Sequence, residues 1–226
     1  MSTGTLYIVG TPIGNMEDVT LRALRVLKEV DVLLAEDTRV TGKLLARHGI
    51  SVPMKSYHQQ STDRVTSEII SLLEEGKTLA LVTDAGTPGV ADPGNELISR
   101  IVRALPDVRI EPIPGVSSLT AALSVCGFPT NEFVFLGFLP HKKGRQTLLN
   151  EIAEITRTVV LFESPHRIGK LLGELSERVP ERSVFIGREI TKLHETHYRG
   201  SVAELNQQFL EGKILEKGEF VVVLGQ

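Results

Sequence analysis

The chain has one cysteine and no tryptophan in 226 residues. A lone Cys126 excludes an intrachain disulfide, and no Cys/His spacing resembles a zinc site, which suits a reducing compartment and a metal-free fold. Cys126 itself reads as a small buried residue near a helix end rather than a nucleophile. No apolar run approaches the roughly 20 residues that a membrane span needs, and the N-terminus shows neither the basic region nor the long apolar stretch of an export signal. We therefore expect a cytoplasmic protein without a membrane partner. Aromatics are sparse, with only three tyrosines, which argues against broad stacking on single-stranded nucleic acid. A dominant charge is lacking too: the net charge of −3 neither demands nor forbids a polyanionic partner, because local clustering counts for more than the total. Internal repeats, low-complexity tracts and disordered tails are absent.

Glycine and proline, by contrast, punctuate the first half. Thr5 to Val9 is a short apolar run ending in Gly10-Thr11-Pro12-Ile13-Gly14-Asn15, and Leu21, Leu24 and Leu27 follow at helical spacing, with Asp18 available as a cap. A phosphate-cradling loop works through a row of backbone N–H groups, and Pro12 removes one from the middle of that row. This loop approaches a ligand closely without being built for pyrophosphate. Val30 to Ala35 ends at Glu36-Asp37-Thr38-Arg39 and leads into a helix stopped by Gly49. A helix from about Asp63 to Glu75 precedes Thr78 to Thr83, whose near-continuous apolar character predicts a strand buried on both faces.

The loop that follows, 84–94, holds three glycines, two prolines and two aspartates. Asp92-Pro93 reads as the N-cap and first turn of a helix carrying Leu97, Ile98, Ile101 and Val102. Asp84 sits where a parallel strand would end, the edge at which open α/β sheets bind ligands, although an Asx-turn fits it equally on local grounds. Val108 to Ile113 then runs into Pro114-Gly115-Val116-Ser117-Ser118 and a further helix, which the two serines can cap while donating to a ligand. This alternation predicts a mostly parallel sheet with helices on both faces and its turns on one rim.

Gly127-Phe128-Pro129-Thr130-Asn131 breaks the pattern, so we expect an α/β domain over 1–128 and a second domain over 129–226. In the second, Phe133 to Phe138, Thr158 to Phe162, Ser183 to Ile190, His194 to Tyr198 and Glu219 to Leu224 read as strands. Helices fall near Gly144 to Ile155, Ile168 to Arg178 and Ser201 to Gly212. The third and fourth strands are separated by hairpin spacing, which predicts a mixed α+β domain with antiparallel pairing. Cofactor pockets often form between two such domains. Basic residues cluster at His141, Lys142, Lys143 and Arg145 and along one helix at Arg39, Lys43, Arg47 and His48. Such patches can neutralise phosphates and make binding salt-sensitive.

Six ordered blocks stand out: Gly-Thr-Pro-Ile-Gly-Asn at 10–15, Glu-Asp-Thr-Arg at 36–39, Thr-Asp-Ala-Gly-Thr-Pro at 83–88, Ile-Pro-Gly-Val-Ser-Ser at 113–118, Glu-Ser-Pro-His-Arg at 163–167 and Arg-Glu-Ile-Thr-Lys at 188–192. With these the chain resembles the ribosomal RNA small-subunit methyltransferase I proteins of the tetrapyrrole methylase superfamily, from residue 5 to residue 225. The resemblance implies a two-domain tetrapyrrole methylase-like fold, S-adenosylmethionine bound between the domains, a homodimer, and methyl transfer to the ribose 2′-oxygen of a cytidine in small-subunit (16S) ribosomal RNA. It also implies no metal. Many members continue beyond the last strand into a short helical extension, whereas this sequence stops at Gln226.

Carried over by position, the donor-binding residues fall on Pro12, Asp84, Ala85, Gly86, Thr87, Ser117 and Ser118. Leu139 and Phe162 are further candidates whose other role is core packing. Transfer from a sulfonium needs alignment and a base for the hydroxyl proton, so carboxylates on the rim matter most. Glu36, Asp37 and Arg39 are placed there for acceptor handling; the structural alternative is that Asp37 or Thr38 caps the next helix. Two other readings share these residues. One keeps the donor but methylates a small heterocycle such as a tetrapyrrole. The other is a non-catalytic nucleotide-binding protein, since Glu36 and Asp37 lie about 22 residues beyond Gly14 and mimic a ribose-binding acid, although the third glycine of that fingerprint is missing.

Overall fold

The computed structural model describes residues 3–58, 61–92 and 94–226. They form two compact units, Met1–Ser117 and Ser118–Gln226.

The first unit is built on strands β1 (Thr5–Val9), β2 (Val32–Ala35), β3 (Met54–Ser56), β4 (Leu79–Val82) and β5 (Arg109–Ile113), in the order β3-β2-β4-β1-β5. All neighbours pair in parallel. Side-chain alternation assigns each face its helices. Val9, Leu33, Ala35, Ala80 and Val82 meet Ala23, Val26 and Leu27 of α1 (Leu21–Glu29) and Leu44 and Leu45 of α2 (Thr38–Arg47). Leu6, Ile8, Leu34, Leu79 and Leu81 meet Ile69 and Leu73 of α3 (Asp63–Glu74) and Leu97 and Ile101 of α4 (Asn95–Ala104). The chain leaves β1 and β2 toward one face and β4 toward the other. Such a change of side between neighbouring strands is where open α/β sheets bind ligands.

Local details differ from the sequence expectation. The N-cap of α1 is Thr20, whose side chain accepts from the Ala23 N–H at 3.0 Å; Asp18 instead lies in a 3₁₀ turn, Met16–Asp18. The N-cap of α4 is Gly94 rather than Asp92, and Pro93 lies outside the described residues. β3 escapes periodicity because it is three residues long with no buried member.

The second unit carries β6 (Phe133–Phe138), β7 (Thr158–Glu163), β8 (Ser183–Arg188), β9 (Thr196–Ser201) and β10 (Phe220–Leu224), ordered β6-β7-β10-β8-β9. Only β6 and β7 run parallel. One face packs on α6 (Arg145–Glu154), α7 (Ile168–Ser176) and α8 (Val202–Leu210). The other face packs on α5 (Ser118–Cys126), through Ala122 and Cys126 against Val160, Phe185, Val221 and Val223. Thus α5, expected in a first domain ending at 128, is part of the second unit. Arg199 on β9 reinforces this: its guanidinium lies 4.8 Å from the Phe185 ring centroid and donates to the Val125 carbonyl near the end of α5 at 2.6 Å. Cys126 is a free, buried thiol.

Candidate active site

The loops after β1, β4 and β5 are tied into one edge. Thr11 and Gly86 form an isolated antiparallel bridge, with N–H to O distances of 2.9 and 3.1 Å in the two directions. The buried Thr11 hydroxyl donates to the Thr83 carbonyl at 3.2 Å, and the Gly10 N–H donates to Ile113 at 3.0 Å. Gly10 and Gly115 approach so closely that a Cβ on Gly115 would sit 2.7 Å from the Gly10 carbonyl oxygen. Only glycine permits that contact of backbones. Gly86 has φ +79°, a left-handed conformation that glycine adopts without a Cβ clash. From the same loop, the Thr87 hydroxyl reaches the Val116 carbonyl at 3.5 Å.

Across β2 and β4 the ties involve carboxylates. The Asp37 N–H donates to Asp84 Oδ1 at 3.1 Å, and the Asp84 N–H faces Glu36 Oε2 at 3.4 Å. Three acids from two strand ends thus share one hydrogen-bonded patch. Asp37 is the N-cap of α2, accepting from the Arg39 N–H at 2.8 Å, and it also pairs with the Arg39 guanidinium at 2.6 Å. Those Arg39 contacts hold the Asp37 carboxyl well below the usual carboxylate range. Capping and acceptor handling were alternatives for Asp37 in sequence; the capping role is realised, and Arg39 remains 87% exposed.

Glu36 has the opposite environment. Half-buried, it is pushed above the usual glutamate range chiefly by loss of water; the Asp84 N–H opposes the shift, the Asp84 and Asp37 charges add to it, and His58 offsets part. Sequence reading missed His58. It enters because β3 pairs with β2 and carries the chain, through the Tyr57 N–H bonded to the Ala35 carbonyl at 2.8 Å, to the same edge. The only signal would have been the weak strand at 54–56.

The remaining candidates divide. Pro12 and Gly86 are buried, Asp84 is exposed, and Ala85, Thr87, Ser117 and Ser118 are half-buried along the rim and the start of α5. In the second unit, Leu139 is buried in the core and its carbonyl accepts from Arg167. Phe162 packs edge-on against Phe135 and Phe138, with centroids 4.9 and 5.6 Å away. Leu139 thus packs in the core, and Phe162 is a half-buried ring against the cluster on the α5 face of the sheet. Arg145, expected among the phosphate-facing residues, is 2% exposed and bonded to Glu174 at 2.8 Å. Arg188 is likewise internal, donating to the Lys217 and His194 carbonyls. Among the described residues, no group of three or more His, Cys, Asp or Glu is arranged to hold a metal ion, and no helix is long and apolar enough to cross a membrane.

Comparison with known proteins follows the same lines. Residues 5–206 match the family model of the Tetrapyrrole (Corrin/Porphyrin) Methylases. A crystal structure of uroporphyrin-III-C-methyltransferase from Thermus thermophilus superposes with a TM-score of 0.67 at 27% identity, covering 98% of this chain and 94% of that one. Another structure of that enzyme, complexed with S-adenyl homocysteine, gives 0.68 at 23% identity over 99% of this chain and 98% of that one. The class is therefore a tetrapyrrole methylase. The ribosomal RNA small subunit methyltransferase I of Thermotoga maritima is 46% identical over 221 residues, 98% of each chain. Within the class, the chain belongs to the ribosomal RNA small subunit methyltransferase I family.

Proposed function

We propose that the chain methylates the ribose 2′-oxygen of a cytidine in small-subunit ribosomal RNA, with S-adenosylmethionine as donor. The observation that carries this reading is the acidic patch formed by Glu36, Asp37 and Asp84 on the rim. A dinucleotide would bring its pyrophosphate against three carboxylates. A donor carrying a sulfonium, an ammonium and a ribose diol fits the same groups. Pro12, buried and without an N–H, narrows the choice in the same direction. The family relationship supports the RNA substrate over a tetrapyrrole, and with it a cytoplasmic location and a homodimer.

When bound, the donor supplies an electrophilic methyl group. Asp84 and the backbone at Ala85 and Gly86, locked by the Thr11 bridge, would hold it, with Pro12, Thr87, Ser117 and Ser118 as further contacts. Glu36, whose carboxylate is drawn toward its protonated form by burial, takes the proton of the ribose hydroxyl. Asp37 orients Arg39, which uses its Nε and Nη2 on that carboxylate and keeps N–H groups for a neighbouring phosphate.

Calorimetry should give binding of S-adenosylmethionine and none of NAD. Labelled methyl should pass to small subunits lacking the modification, and not to a tetrapyrrole. Transfer to the tetrapyrrole with none to the subunit would replace the substrate assignment, and NAD binding would end the donor assignment.

A further inference from the structure

The Glu-Ser-Pro-His-Arg block at 163–167 is given no role in the proposed methyl transfer, yet its Glu163 and Arg167 sit in a network of ion pairs and hydrogen bonds. Glu163 is 1% exposed at the end of β7 and lies 3.3 Å from Arg167 Nε and 3.9 Å from Arg145 Nη1. Both arginines reach past it to the turn between β6 and α6. Arg167 donates to the Leu139 carbonyl, and Arg145 donates to the Pro140 carbonyl at 3.2 Å through its side chain and to the Lys142 carbonyl at 3.2 Å through its N–H. Arg167 Nη1 also lies 3.3 Å from His141 Nε2. Arginine side chains thereby hold the Leu139 and Pro140 carbonyls where the chain enters the exposed turn, and the turn's own backbone holds that of Lys142.

The charges separate into two layers. The inner layer is balanced, since Arg145 and Arg167 face Glu163 and Glu174. The outer layer is not: Lys142 and Lys143 are exposed beside His141, and among the described residues neither lysine has an ion-pair partner. A balanced brace under unbalanced cations produces a positive surface whose backbone is already ordered. Binding a polyanion there loses little chain entropy.

We infer that the 141–143 turn is a preformed phosphate-contact element for the ribosomal RNA substrate, and that Arg167 and Arg145 act as positioning residues beneath it. This rests on the reading of the chain as an RNA methyltransferase. It divides the basic run at 141–145 between surface and brace, a division that sequence clustering does not show.

The test is equilibrium binding of small-subunit ribosomal RNA over a salt series, run separately from methyl transfer. Replacing both lysines, Lys142→Ala with Lys143→Ala, should lower affinity about tenfold or more near 0.1 M salt and reduce the slope of log K against log salt by roughly 1.4–1.8, the share of two phosphates. S-adenosylmethionine affinity and the melting temperature should stay at wild-type values. Arg167→Met should raise the dissociation constant severalfold while leaving the salt slope unchanged, because it displaces charges without removing them. Should that variant fail to fold, the lysine pair alone decides. An unchanged slope in the lysine variant, or wild-type protein that binds no RNA, overturns the inference. Loss of methyl transfer in the wild type, with lysine-dependent binding intact, would retire the functional reading and leave this surface standing.

Discussion

Two strand ends in the two units look alike in sequence and are treated oppositely by the fold. Leu33-Leu34-Ala35-Glu36 and Val160-Leu161-Phe162-Glu163 each end an apolar run with a glutamate. Glu163 is buried and answered by two guanidinium groups, whereas Glu36 is half-buried and its hydrogen bond comes from the Asp84 backbone. A buried carboxylate matched by cations serves as an anchor. One whose loss of water and acidic neighbours outweigh the nearby His58 is poised to take a proton, which is the property that methyl transfer to a hydroxyl requires. Burial alone does not distinguish structural from chemical acids; the sign of the neighbouring charge does.

The largest effect should come from Glu36→Gln. As the base, Glu36 contributes on the order of 10²–10⁴ in rate, so single-turnover methyl transfer should fall by that factor with donor binding retained. In the wild type the rate should rise with pH through the elevated Glu36 pKa, and the variant should lose that limb. Stability runs the other way. The folded Glu36 carboxyl binds its proton more tightly than the unfolded one, so its own contribution to stability is fully present below the ordinary value of 4.5 and is lost as pH rises through the elevated folded value. The glutamine variant should therefore melt no lower than wild type at neutral pH. A wild-type rate in Glu36→Gln would remove this residue from the chemistry and dissolve the contrast with Glu163.

Arg145→Met probes the other side of the comparison. It takes a shared cation from Glu163 and Glu174 in a site where Arg145 is 2% exposed, while Arg167 stays 3.3 Å from Glu163 and Lys170 3.9 Å from Glu174, so the loss should approach without exceeding the about 3–5 kcal/mol of a broken buried pair. Denaturant melts should show that loss, and adding Glu163→Gln should recover part of it because the buried charges facing the lost guanidinium are fewer. If the single variant is as stable as wild type, Glu163 is not an anchor.

The larger elements were legible from sequence because long apolar periods repeat: the parallel sheet, both helix layers and the β8–β9 hairpin all follow from them. The rim itself was legible through its glycines and acids. What escaped was set by contacts distant in the chain. β3 has no buried residue, so no period marks it, and His58 went unplaced with it. Arg145 reads as one more surface cation until Glu163 and Glu174 are brought to it. Helix α5 follows the first sheet in sequence, yet its apolar face matches the second, a choice fixed by Phe185 and Arg199 on strands about 60 to 80 residues later.

Helix caps offer the smallest and cleanest comparison between the units. In the second, Ser201 begins a full capping box: its side chain accepts from the Glu204 N–H, and the Glu204 carboxylate accepts from the Ser201 N–H at 2.7 Å. In the first, Thr20 caps α1 alone, while the nearby Asp18, the better-placed acid by sequence, has an oxygen buried without a hydrogen-bond partner among the described residues. Thr20→Ala should therefore cost about 1 kcal/mol in a thermal or denaturant melt. Asp18→Ala removes no cap and relieves a buried, unsatisfied oxygen, so it should leave stability unchanged or slightly raised. The reverse order of the two variants would mean that α1 starts at Asp18 in solution, with its first turn extended back through the 3₁₀ segment.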